Sequence, residues 1–180
     1  MKRIAILLVT TGLAGVASAH QQPAPLPSGC SAIEVTAPGV KKQPRALRFS
    51  TREILDLAFE TALERAVYGQ HVLHFRVFTP SGFLYQDLAM PFSWQRPGRD
   101  RRDGEGIVPA ANVSPAGLPV QQLGPIDGRG PSRHSVHARL PVAGTSITMS
   151  TLYGRWSVQA FLDDHARPCS PAAAFTISSR

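Results

Sequence analysis

Two cysteines, Cys30 and Cys169, stand near opposite ends of the chain, and it contains no others. In an oxidising compartment an even pair of this kind is most simply a disulfide. Such a bridge would tie the N-terminal tail onto the last hairpin and close a loop nearly as long as the folded chain. On chain-entropy grounds that closure stabilises by about 4–5 kcal/mol. Neither cysteine has a CxxC partner to lower its thiol pKa, so a structural bridge is expected and not a redox-active one.

The first nineteen residues supply the oxidising compartment. Lys2 and Arg3 form a positive n-region, Ile4 to Val16 an uncharged apolar run, and Ala17-Ser18-Ala19 the small-x-small pattern that fits a signal peptidase groove. The apolar run is too short to span a bilayer stably. A lipoprotein signal at Cys30 is set aside, because Leu26 lies one residue too far away and Pro27 falls inside the motif. Cleavage after Ala19 leaves His20 as the mature N-terminus of a periplasmic or secreted protein.

The remaining 161 residues are the size of one domain with a real core. Loss of Lys2 and Arg3 takes the formal charge from +7 to +5. The basic residues, sixteen of nineteen of them arginine, are scattered and form no stripe interleaved with aromatics. Nucleic-acid binding is therefore not expected. No second apolar run is long enough for a transmembrane segment in the mature chain.

Residues 20–31 are rich in Pro and Gln and read as an extended tail, and residues 32–180 as a single domain. Ile33 to Thr36 is β-prone and ends at Pro38-Gly39. Residues 53–67 fit two periods equally. As a helix, Ser50 and Glu53 make a capping box and Glu53, Asp56, Glu60 and Glu64 share a face. As a strand, Leu55, Leu57, Phe59, Thr61, Leu63 and Val67 alternate against Asp56, Glu60 and Glu64. Val72 to Thr79 is a clear strand, with Leu73, Phe75 and Val77 on one face and His74 and Arg76 on the other. Pro80-Ser81-Gly82 is turn chemistry, and Phe83 to Phe92 returns as the partner strand.

From about 95 to 136 the texture changes. Residues 91–141 hold eight of the sixteen prolines, and glycines recur throughout the stretch. Such a stretch buries too little apolar surface to offset its ordering entropy, so a long disordered insertion is expected, with a brief strand near Val120. Further strands are expected over Ala138–Val142, Ile147–Leu152, Trp156–Leu162 and Ala174–Ile177, with Asp163-Asp164-His165 as a turn.

Short strands joined by hairpins and turns imply a mainly β, antiparallel sandwich with room for one short helix. The run Gly154-Arg155-Trp156-Ser157-Val158, through Asp163-Asp164 to Phe175-Thr176-Ile177, resembles the closing strands of bacterial extracellular immunoglobulin-like domains. That resemblance covers about forty residues from Leu140 onward and implies a fold, not a function.

Among residues with chemistry, His71 and His74 would face opposite sides of a strand and cannot chelate one ion together. His134 and His137 lie where the insertion meets a strand. Mature His20 would offer an amine and an imidazole, donors that suit Cu(II). Asp163-Asp164-His165 has the Asp-x-His spacing of periplasmic copper-binding β-sandwich proteins of the CopC type. That resemblance implies a copper site of His20, Asp163 and His165, although Gln21-Gln22-Pro23 departs from it. No nucleophile elbow, zinc-protease helix, P-loop or dinucleotide fingerprint occurs, so catalysis is not expected, with a secreted hydrolase the remaining enzymatic alternative. The expectation is a non-catalytic, cofactor-free module that binds another protein or a cell-surface polymer. Tyr85, Trp94 and Phe161 are the candidate exposed aromatics. Trp94 beside Arg96 and Arg99 is the candidate hot spot.

Export predicts a definite product. Intact mass of the protein recovered from the periplasm or medium should correspond to residues 20–180; a mass retaining residues 1–19 would contradict the leader.

Overall fold

The computed structural model describes residues 29–40, 45–65, 67–94, 120–125 and 132–180. Residues 1–28, which include the expected leader and His20, and Arg96 and Arg99 lie outside the described residues.

Phe59 explains why the ambiguous segment is a strand. It lies in β3 (Asp56–Ala62), whose Leu57, Phe59 and Thr61 are buried while Glu60 is exposed. Two partners hold β3 extended: β1 (Glu34–Thr36) on one edge and β8 (Ser135–Pro141) on the other, both antiparallel. A helix would have turned Leu57 and Phe59 away from each other and left both neighbours unpaired. The capping box is instead a turn, with the Glu53 amide donating to the Ser50 carbonyl at 3.0 Å.

Among the described residues the second sheet has seven strands. In chain order they are β2 (Arg48–Ser50), β4 (Gly69–Phe78), β5 (Leu84–Trp94), β6 (Gln121–Pro125), β7 (Ser132–Arg133), β9 (Gly154–Leu162) and β10 (Ala173–Ser178). Their spatial order is β2-β10-β9-β4-β5-β6-β7, and only β2/β10 and β5/β6 pair in parallel. The chain is thus mainly β, in two largely antiparallel sheets.

The sheets share one core. Phe59 of the small sheet meets Phe75 of β4 at 6.2 Å and Phe175 of β10 at 5.7 Å between ring centroids. Phe175 in turn stacks on Trp156 of β9 at 6.4 Å. The expected inward sets Leu73/Phe75/Val77 and Trp156/Val158/Ala160 are buried, whereas Leu162 is half-buried.

Two expectations are corrected. Ile147–Leu152 is not a strand: its start is the helical turn α1 (Ser146–Met149). The β-branched residues suggested extension, but Thr145 caps the turn by accepting from the Ile147 amide, and Ile147 is buried against the core. The insertion over 95–136 is not wholly irregular either. Beyond the strand near Val120, which is β6, it contains β7 and the start of β8. Gln121 shows why β6 stays in place. Its side-chain amide donates to the His137 carbonyl at 2.7 Å and accepts from the His137 amide at 3.1 Å, so a side chain pairs with the edge of β8 that faces away from β3.

Cys30 and Cys169 are bonded, with Cα atoms 5.1 Å apart. The Cys30 amide also donates to the Cys169 carbonyl at 3.0 Å, and the Cys169 amide to Ala160 of β9 at 2.8 Å. Ser170 Oγ accepts from the Ala160 amide at 3.1 Å. The bridge therefore pins the segment leading into β1 onto the β9–β10 connection, where backbone bonds already hold both sides.

Among the described residues no helix is long and apolar enough to cross a membrane. Replacing both cysteines by serine should lower unfolding stability by about 4–5 kcal/mol, or somewhat less where the unfolded state is compact. Denaturant melts of the oxidised protein and the double variant check this, and coincident curves would contradict it.

Candidate functional site

The β4–β5 hairpin is built to hold its tip still. The Gly82 amide donates to the Thr79 carbonyl at 2.9 Å, and the Thr79 amide to the Phe83 carbonyl at 2.9 Å. Thr79 Oγ1 accepts from the Phe83 amide at 3.2 Å. Gly82 has φ +83°, a conformation that side-chain-bearing residues rarely adopt, and Gly is what lets the turn close. Gly154 makes room for the tip in a second way, since a Cβ there would come within 3.0 Å of the Pro80 ring.

On this fixed turn two large apolar side chains face water. Phe83 is 73% exposed and Leu84 is 53% exposed. A bulge at Val77/Phe78 leaves Tyr85 outside the register between β4 and β5. Tyr85 is turned against Trp156, edge to face at 5.2 Å, and its hydroxyl bonds Ser146 Oγ at 2.8 Å. That bond fastens α1 beside the hairpin, and α1 carries Met149, 74% exposed. Phe83, Leu84 and Met149 are thus apolar groups on rigid, hydrogen-bonded supports.

The aromatics singled out in the sequence lie elsewhere. Tyr85 is half-buried as just described. Trp94 is 6% exposed, edge to face with Tyr68 at 6.4 Å and beside His134 at 5.2 Å. Phe161 is also 6% exposed, under the Arg76 guanidinium at 4.3 Å. All three pack within the fold. Alternation alone could not show this, because the last strand positions and the outer sheet face are covered by neighbours distant in sequence.

His71 and His74 do face opposite sides of β4, and each has its own carboxylate. His74 Nδ1 lies 2.9 Å from Asp87 Oδ1, while Arg76 Nε donates to Asp87 Oδ2 at 3.3 Å. His71 Nδ1 lies 2.9 Å from Asp163 Oδ2. Asp163 Oδ1 accepts from the Val72 amide at 2.9 Å, and the Asp163 amide donates to the Val72 carbonyl at 2.8 Å. Asp163, at φ +49°, thereby seals the end of β4 against the turn after β9.

Both Asp163 oxygens are thus engaged by the fold. His165 is exposed, and its amide bonds the Leu162 carbonyl at 3.2 Å. The structure does not bring Asp163 and His165 together with a third ligand: among the described residues no group of three His, Cys, Asp or Glu side chains could hold a metal ion.

No protein-family model, no curated protein and no solved structure matches this chain.

The role of Asp163 is testable by stability. Asp163→Ala leaves the Val72 amide and His71 without an acceptor and puts Ala at a left-handed φ, and it should cost about 1–3 kcal/mol. Asp163→Asn, which keeps an acceptor oxygen and tolerates that φ, should cost less. Equal melting temperatures for wild type and Asp163→Ala would refute this role.

Proposed function

We propose that this chain is an exported, non-catalytic immunoglobulin-like β-sandwich module that acts by binding another protein or a cell-surface polymer. The observation that carries this reading is the hairpin tip, where Phe83 and Leu84 are exposed on a turn fixed by three hydrogen bonds. A large apolar side chain carried on a fixed turn adds little backbone ordering cost when a partner covers it, which favours binding. Adjacent apolar exposure on a rigid support suits a protein partner better than a polar polymer.

The frame supports the same reading. Two sheets around one core, closed by the Cys30–Cys169 bridge, form a scaffold that suits a chain working where chaperones and reductants are absent. The immunoglobulin-like assignment draws on the closing strands β9 and β10, which carry the residues of the sequence resemblance.

The test is capture from a cell-envelope extract by immobilised mature protein, comparing wild type with the Phe83→Ser/Leu84→Ser variant. Both side chains are exposed, so the variant should fold with an unchanged melting temperature while partner recovery falls at least about tenfold. Equal recovery by the two proteins would remove the hairpin tip as the binding surface.

A further inference from the structure

At the far edge of the large sheet, on the face turned away from the core, lies a solvent-open depression of about 290 Å³. Ala46, Arg48, Arg155, Ala174, Phe175 and Thr176 line it. The sheet register brings them together: Thr176 of β10 pairs with Arg48 of β2 on one side and with Arg155 of β9 on the other. Two arginines therefore flank one threonine in a single cross-strand row. With strands about 4.8 Å apart, the arginine Cα atoms stand about 10 Å apart, within reach of a shared ligand for side chains of this length.

We infer that this row is a binding site for a tetrahedral oxyanion, a phosphate group free or esterified. Four observations support it. Among the described residues neither guanidinium has an ion-pair or hydrogen-bond partner, whereas Arg76 is held by Asp87 and Arg139 by Asp56. Among the described residues no acidic side chain lines the depression, so none there neutralises the two like charges that flank β10; a bound anion would. Thr176 is half-buried between them, its hydroxyl unengaged among the described residues, and Ala174 keeps the floor low. Ala46 on the rim and Leu47 next to it both adopt left-handed φ, 59° and 50°. Strained backbone of this kind gathers at ligand sites more often than elsewhere.

Geometry selects the ligand. A carboxylate has two coplanar oxygens, which a single guanidinium fork satisfies. Two arginines set on either side of a threonine can offer forks and a hydroxyl from several directions, which matches an anion whose oxygens also point in several directions. The depression is larger than one phosphate, leaving room for the group that carries it. Arg155 follows Gly154, the residue that packs on Pro80 of the hairpin turn, but the site rests on Arg48, Arg155 and Thr176 and not on what the tip binds.

The test is calorimetric titration in low-salt, phosphate-free buffer with inorganic phosphate, glycerol 3-phosphate and acetate, paired with amide-shift mapping by NMR. Phosphate should shift the Thr176 and Arg155 amides, and acetate should bind at least about tenfold more weakly. Arg48→Ala/Arg155→Ala should lose at least about tenfold in phosphate affinity, and Arg155→Lys, which keeps the charge but not the fork, should lose part of it. Glycerol 3-phosphate binding tighter than phosphate would support an esterified ligand, and the reverse order a free ion. Unchanged affinity in the double variant would overturn the site. So would an equal loss in the exposed control Arg52→Ala, since binding would then follow general surface charge. All these substitutions are at exposed positions, and unchanged melting curves check that the variants fold.

Discussion

Phe59 is the side chain on which the two sheets close. It leaves the small sheet and enters the large one between Phe75 and Phe175, and Phe175 passes the contact on to Trp156. Each ring comes from a different strand, so β3, β4, β9 and β10 must all be in register before the contact exists. Burying four aromatic side chains in one line accounts for a large share of the apolar surface removed from water. The disulfide acts on a different quantity. It sits at the margin of this core and limits how far the chain can expand when the core opens. Packing chooses the structure, and the bridge narrows the alternatives.

Elements with a strong two-residue period were legible in the sequence. The Val72–Thr79 strand, its turn at Pro80-Ser81-Gly82 and the strand bearing Trp156 and Val158 sit where alternation and turn chemistry put them. The disulfide was legible from cysteine number and the inferred compartment. Residues 56–62 were not, because the acidic side chains satisfy a helical and an extended period at once; strand neighbours from distant parts of the chain decide the matter. Ile147 misled for the opposite reason. Its β-branched side chain suits a strand, but a threonine cap and a waiting pocket in the core cost less than an edge with no partner.

The surface was less legible than the interior. Trp94 invites a binding role beside its arginine-rich neighbourhood, yet it is packed between Tyr68 and His134. Asp163 and His165 have a ligand-like spacing, yet Asp163 spends its carboxylate on His71 and on the backbone of Val72. The features the sequence did not single out are relational. Phe83 and Leu84 matter because the turn beneath them is fixed. Arg48 and Arg155 matter because β10 lies between them. The one local signal available was an apolar Phe-Leu pair directly after a turn glycine, where alternation would have placed a polar residue.

Gln121 carries a wider implication. An unpaired strand border offers a ladder of donors and acceptors to any other extended chain. Here one amide side chain caps the border at His137 by imitating a backbone. The imitation is only one residue long, so it cannot propagate. A foreign strand arriving at His137 meets a backbone whose donor and acceptor are already occupied, so one rung is missing from any ladder it could build along β8.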